Sequence, residues 1–294
     1  MKHKLSITLI ILGLFLITQF VGLFLINTKE VPPYLNTSSQ QKTPLNSFIS
    51  ILIAFVLSLS IFFFLIQYKW RFFIKLWFSL LIFLCLSIFF YVLLRYFKVD
   101  IKEALFYSFL ISIFFTTLKV LRPSVIIHNL TEIFIYSGIS IVFVQIFTPI
   151  YVILFLLIIS FYDMWAVWHT KIMQKMAHFQ MSEIKIFNGF FIPYLNKEIR
   201  EKIKKAKNKK EKIKLKVPIA ILGGGDIAFT LIPAGVFLIN FGLVSALFVA
   251  LGGFSGLTFL LFFSKKSTRA YPAMPFISTG ILLALILYFL IGIL

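Results

Sequence analysis

Three carboxylates in this sequence stand where water is scarce. Of its ten acidic residues, Glu132, Asp163 and Asp226 fall inside long apolar runs. An ionised carboxylate in hydrocarbon costs at least about 2.5–3.5 kcal/mol on insertion scales, so such residues mark sites of chemistry by default. Asp163 lies about five residues before the end of one run and Asp226 about nine after the start of the next, roughly 8 and 14 Å along a helix. Successive antiparallel helices would then carry both at similar depth and let them face each other. Two facing carboxylates in a low dielectric tend to share one proton. One member takes a proton from water while the other donates a hydrogen bond to a carbonyl, which is the chemistry of peptide hydrolysis. The sequence assigns neither role to either residue. The same pair also reads as a polar contact between helices or as a proton relay.

The elements that must position these groups are membrane spans. Of 294 residues, 60% are hydrophobic and 13% charged, against about a quarter charged in soluble domains. Apolar runs of about 20 residues, the thickness of a bilayer core, recur along the chain. They are too long and continuous for barrel strands. We expect an all-α integral membrane protein of about nine transmembrane helices, a single membrane domain over 1–294. The spans are 5–26, 47–66, 76–94, 104–118, 124–147, 150–168, 217–240, 243–263 and 275–294. The fourth is short. Ser124–Trp168 holds no Lys or Arg and is too long for one span, and Pro149 divides it. Val217–Phe263 divides in the same way at Asn240-Phe241-Gly242.

The net charge of +19 would suggest nucleic acid in a soluble protein. In a membrane protein it marks topology and an anionic lipid surface, so lipid is the expected partner and nucleic acid is not. With nine spans, every basic residue except Lys29, Lys42, Arg95, Lys98 and Lys102 falls on one side. The N-terminus is therefore expected in the cytoplasm and the C-terminus outside. The run Leu5–Ile26 behind Lys2-His3-Lys4 is long for a signal peptide and has no small-residue cleavage site after it, so it reads as the first span. The single Cys85 forms no intrachain disulfide.

The cytoplasmic loop 169–216 is the one long polar segment. Its second half, Lys197–Lys216, is Lys-rich and solvated. Its first half carries an apolar patch, Ile186–Leu195, too short to span, which either lies on the membrane or fills a groove.

The neighbours of the two aspartates add to the reading. Asp163 follows Tyr162, and Asp226 ends Gly223-Gly224-Gly225-Asp226. Pro272-Ala273-Met274-Pro275 opens the last span. Glycines beside a carboxylate let another backbone approach, and also serve helix packing. The proline segment is expected to be extended. An extended edge there could pair with an unwound substrate as an added strand, or merely cap the last helix. The set resembles the presenilin and signal peptide peptidase family of GxGD intramembrane aspartyl proteases. That family carries Tyr-Asp in its sixth span, Gly-x-Gly-Asp in its seventh and Pro-Ala-Leu at the start of its ninth. The resemblance runs from about Ile150 to the C-terminus, and the nine-span plan extends it over the chain. Met274 departs from the usual Leu at similar volume. The proline segment and the orientation look closer to presenilin, and with little outside the core the chain resembles a prokaryotic homologue.

The resemblance implies an aspartic endopeptidase that cuts transmembrane helices, with Asp163 and Asp226 catalytic. Tyr162, Gly223, Gly224, Gly225, Pro272, Ala273, Met274 and Pro275 would then surround the substrate. It also implies that the patch Ile186–Leu195 blocks the groove until displaced or cut. No cofactor or metal is expected, and the oligomeric state is unreadable. A proton-coupled transporter or channel, a prepilin-peptidase-like enzyme and a helix-binding protein without activity remain alternatives.

Other polar residues carry weaker signals. Glu132 and His128 are expected near the interface of the fifth span, where snorkelling or a water-filled cavity explains them. Trp165 and Trp168 read as interfacial belt residues. Gly252 and Gly256 form a small-residue packing pair. Asn36-Thr37-Ser38 matches a glycosylation acceptor.

Overall fold

A computed structural model describes residues 5–35, 44–68, 70–122, 124–170, 187–194, 219–263 and 271–293. The glycosylation motif Asn36–Ser38 and the Lys-rich stretch 197–216 lie outside the described residues. Among the described residues there are nine α-helices. They are α1 (Leu5–Asn27), α2 (Pro44–Gln67), α3 (Arg71–Tyr96), α4 (Ile101–Leu121), α5 (Val125–Val144), α6 (Pro149–Trp165), α7 (Gly224–Phe241), α8 (Leu243–Phe263) and α9 (Met274–Ile293). Eight of them are long and apolar enough to cross a membrane, and the described part of α2 qualifies as a shorter apolar helix, Pro44–Ser58.

The breaks follow local chemistry. Pro149 takes the first position of α6, where its missing N–H costs nothing. Gly242, at φ +88°, ends α7, and only glycine adopts that conformation freely. Several helices outrun their expected limits. α4 covers 21 residues, so the fourth span is full length. Arg71 and Lys75 lie within α3, and Lys119 lies within α4 rather than in a loop. Long side chains let the charges of Arg71 and Lys75 leave the apolar zone while the helix continues, whereas Lys119 is buried.

The larger correction concerns the seventh span. Its first residues are a strand, β2 (Ile219–Gly223), paired antiparallel with β1 (Gly189–Pro193) in register Gly189↔Gly223 to Pro193↔Ile219. The chain is therefore not purely helical. In β2 exposure alternates, with Ala220 and Leu222 buried and Ile219 and Ile221 exposed, as a two-residue period requires. A short apolar run next to a helix cannot be told from more helix by hydropathy. β1 lies within the apolar patch expected to lie on the membrane or in a groove, of which residues 187–194 are described. It packs against β2 and α5, with Phe190 fully buried.

α1 sits against α5, α7 and α8, α6 against α7 and α9, and α3 against α4 and α5, while α2 touches mainly α3. The α8–α9 seam is the closest. A Cβ on Gly252 would strike the carbonyl of Gly280, and one on Gly256 would strike that of Phe276. The expected packing role of this glycine pair is thus met by backbone-to-backbone contact.

Candidate active site

Asp163 stands two residues before the end of α6, which continues as a π-helical turn, Ala166–Thr170. Its side chain is buried, and Oδ2 accepts a 3.0 Å hydrogen bond from the main-chain N–H of Met274. One turn earlier, Ser160 Oγ and Ser278 Oγ lie 2.7 Å apart. α6 and α9 are thus joined by two polar contacts at the level of the carboxylate.

The Pro272–Pro275 segment is not the extended edge that its prolines suggest. Ala273 accepts from the N–H groups of Phe276 and Ile277 at 3.1 Å each, so it caps α9, which begins at Met274. Two prolines around Ala273-Met274 remove competing N–H donors and leave the Met274 amide free to turn toward Asp163. Pro272 and Met274 are buried, and Ala273 and Pro275 partly so.

Asp226 lies in the first turn of α7, three residues into the helix rather than about nine into a span. Gly223 holds the N-cap with φ −63° and ψ 142°, so strand becomes helix within one residue. A Cβ on Gly223 would come within 3.3 Å of Asp226 Oδ2. A Cβ on Gly224 would run into the Tyr136 hydroxyl. Gly225 is exposed, and a Cβ there would meet only Phe229 at ordinary contact distance. α7 therefore begins beside the level at which α6 ends, and the two helices that carry the carboxyl groups pack against each other. The sequence placed them on packed helices, with Asp163 close to its observed depth and Asp226 too deep.

Beside the pair is a cavity of about 620 Å³ between α2, α3, α5, α6 and α7, reaching Gly224 and Gly225. Phe55, Phe155 and Phe229 line it. Tyr162 meets Phe55 edge-on, ring centroids 6.0 Å apart, so it stands behind this wall. Glu132, Tyr136, Ser58 and Asn188 are the polar residues of its lining. Among the described residues no group of three or more His, Cys, Asp or Glu side chains could hold a metal.

Near the site, the sequence reading marked Glu132 and His128 but not their partners, and it missed Tyr136. Glu132 is not an interfacial snorkelling residue. It is 1% exposed and ion-paired with Lys119, itself buried. Tyr136, one turn further on α5, carries a buried hydroxyl close to the buried Glu132 carboxylate. The spacing His128, Glu132, Tyr136 is a row along one helix face, a signal present in the sequence. Trp165 and Trp168 are exposed, as side chains facing a bilayer interface would be.

The family model described as signal-peptide peptidase, presenilin aspartyl protease matches residues 12–294. A solved presenilin family intramembrane aspartate protease superposes in two crystal forms. In the C222 form the TM-score is 0.62 at 19% identity, covering 95% of this chain and 96% of that one. In the P2 form it is 0.62 at 18% identity, covering 94% and 95%. At such identity the likeness speaks for the fold. No curated protein sequence matches the chain.

Proposed function

Because the chain belongs to the signal-peptide peptidase, presenilin aspartyl protease family, we propose that Asp163 and Asp226 are the pair with which it hydrolyses peptide bonds. The protein is a multi-pass intramembrane aspartyl protease, and its substrates are transmembrane proteins. The observation that supports the assignment is the placing of Asp163 near the end of α6 and Asp226 in the first turn of α7, two helices packed together, with an apolar cavity reaching Gly224 and Gly225. One activates a water, and the other donates a hydrogen bond to the scissile carbonyl. The Met274 amide fixes the orientation of Asp163, so the geometry is set before substrate arrives.

A substrate helix hides its scissile bonds inside its own hydrogen-bond ladder and must unwind locally. Freed backbone groups in an apolar setting need partners. The edge of β2 facing away from β1 carries no third strand among the described residues, and it ends at Gly223, three residues from Asp226. An unwound substrate segment adds there as a strand, taking the role that the sequence suggested for Pro272–Pro275. Tyr162 and Gly223–Gly225 wall the cleft, and Pro272–Pro275 closes it from the α9 side. The cavity accepts an apolar side chain next to the cleaved bond. The chain acts as one membrane domain within lipid. Its N-terminus faces the cytoplasm and its C-terminus the outside, a reading supported by the one-sided distribution of Lys and Arg.

The experiment is cleavage of a single-span test protein by the purified chain in detergent. Wild type should yield two fragments, and Asp163→Ala and Asp226→Ala should each yield none while keeping the wild-type melting profile. Fragments from either variant would remove that residue from the pair. Proton flux in vesicles without cleavage by wild type would favour the transporter instead.

A further inference from the structure

The β1–β2 hairpin is small. A two-stranded sheet alone is marginally stable, and a Gly-bounded strand of five residues specifies its position weakly. Something outside the sheet must hold it against Asp226. In the register observed, Phe190 and Ile192 of β1 face Leu222 and Ala220 of β2, and the Asn188 carbonyl accepts from Gly224 N–H. Backbone groups alternate between the two edges of a strand, so those of Gly189 and Phe191 point away from β2.

That outer edge is occupied by α5. Asn129 Nδ2 donates to the Phe191 carbonyl at 3.0 Å, and Asn129 Oδ1 accepts from the Phe191 N–H at 3.2 Å. One side-chain amide thereby imitates the paired residue of a neighbouring strand. Beside it, His128 Nε2 lies 2.8 Å from the Gly189 carbonyl. A carbonyl only accepts, so Nε2 carries the donated proton. The helix turn that carries the imidazole is itself braced. Thr131 Oγ1 donates to the His128 carbonyl at 2.9 Å, Lys119 Nζ donates to Thr131 Oγ1 at 3.3 Å, and Lys119 pairs with Glu132. Glu132 Oε1 stands 3.7 Å from His128 Nε2. A buried ion pair is weak evidence for stability, and fixing one arrangement among several is its better-attested use.

We propose that His128 and Asn129 are positioning residues: they clamp the outer edge of β1 to α5 so that only the β2 edge accepts a substrate strand, held at one distance from Asp163 and Asp226. The clamp thus sets which peptide bond is cut. This rests on the strand-addition reading above. An unclamped hairpin offers two open edges, each a template for pairing, and lets β2 shift relative to the carboxyl groups. Strand residues advance about 3.4 Å each, so a shift of that size presents the next bond.

The test reads the positions cut in a single-span test protein by mass spectrometry, alongside kcat and KM. Wild type should give one dominant bond. Asn129→Ala and His128→Ala should spread cleavage over neighbouring bonds, lowering the dominant share at least about twofold, as loss of one or two hydrogen bonds allows. His128→Gln, which keeps a donor for the Gly189 carbonyl, should restore the single bond. A wild-type product ratio in both alanine variants, at whatever rate, overturns the clamp, because a merely structural role alters rate and stability alone. If Asn129→Ala does not fold, the His128→Ala and His128→Gln pair decides. Absence of cleavage by wild type would strike the underlying protease reading instead.

Discussion

The main-chain N–H of Met274 donates a 3.0 Å hydrogen bond to Oδ2 of Asp163 across 111 positions of sequence. The contact uses backbone, so it is indifferent to the side chain at 274. Met274→Leu should therefore leave kcat within about twofold, because the donating amide is kept. Met274→Pro removes the donor at a helix start that tolerates proline. A hydrogen bond to a charged group is worth about 1.5–3 kcal/mol, so kcat should fall roughly 10- to 100-fold. Steady-state kinetics of both variants on one substrate checks the pair, and equal kcat values would show that the amide does not orient Asp163.

The serine pair behind Asp163 makes a second prediction. Ser160 and Ser278 share a buried 2.7 Å contact. A double-mutant cycle with alanine at each should return a coupling near 0.6 kcal/mol, the average for hydrogen bonds between membrane helices. Thermal unfolding in detergent measures it, and strict additivity of the two single variants would mean that the contact contributes nothing.

Buried charge sets the third. Lys119→Met leaves the Glu132 carboxylate without its cation, which should cost about 3–5 kcal/mol. The double variant Lys119→Met/Glu132→Leu should recover most of that loss, since an apolar pair of similar volume replaces both charges. Denaturation of all three proteins in one detergent tests this. Recovery must appear in the double variant for the pair to be buried as described.

Close backbone approach sets the fourth. Gly256→Val would force Phe276 of α9 away and should destabilise by about 1–3 kcal/mol. Gly13→Ala, with nothing within 4 Å of the added methyl, should be neutral or gain up to about 1 kcal/mol from helix propensity. Opposite ordering of the two melting points would contradict the α8–α9 seam.

Glu132 illustrates how far the sequence reached. Its place in an apolar run marked it as unusual, yet its partner, Lys119, reads in sequence as one more basic residue at a span end. Charge alone does not reveal which of many lysines folds inward. The same holds for Asn129, whose amide finds β1 only because residues 62 positions apart are brought side by side.

Composition, run length and basic-residue bias by themselves determined a multi-span helical membrane protein, because hydrocarbon thickness and backbone desolvation leave few other solutions. They also set Asp163 and Asp226 on adjoining helices, since an ionisable group in an apolar run is too costly to pass unnoticed. Only the tertiary structure decided that Asp226 opens a helix instead of sitting inside one, that Ile219–Gly223 is a strand, and that Met274 reaches Asp163 through its amide. Those three depend on hydrogen-bond partners distant in sequence, and apolar periodicity in a run of five residues carries no record of them.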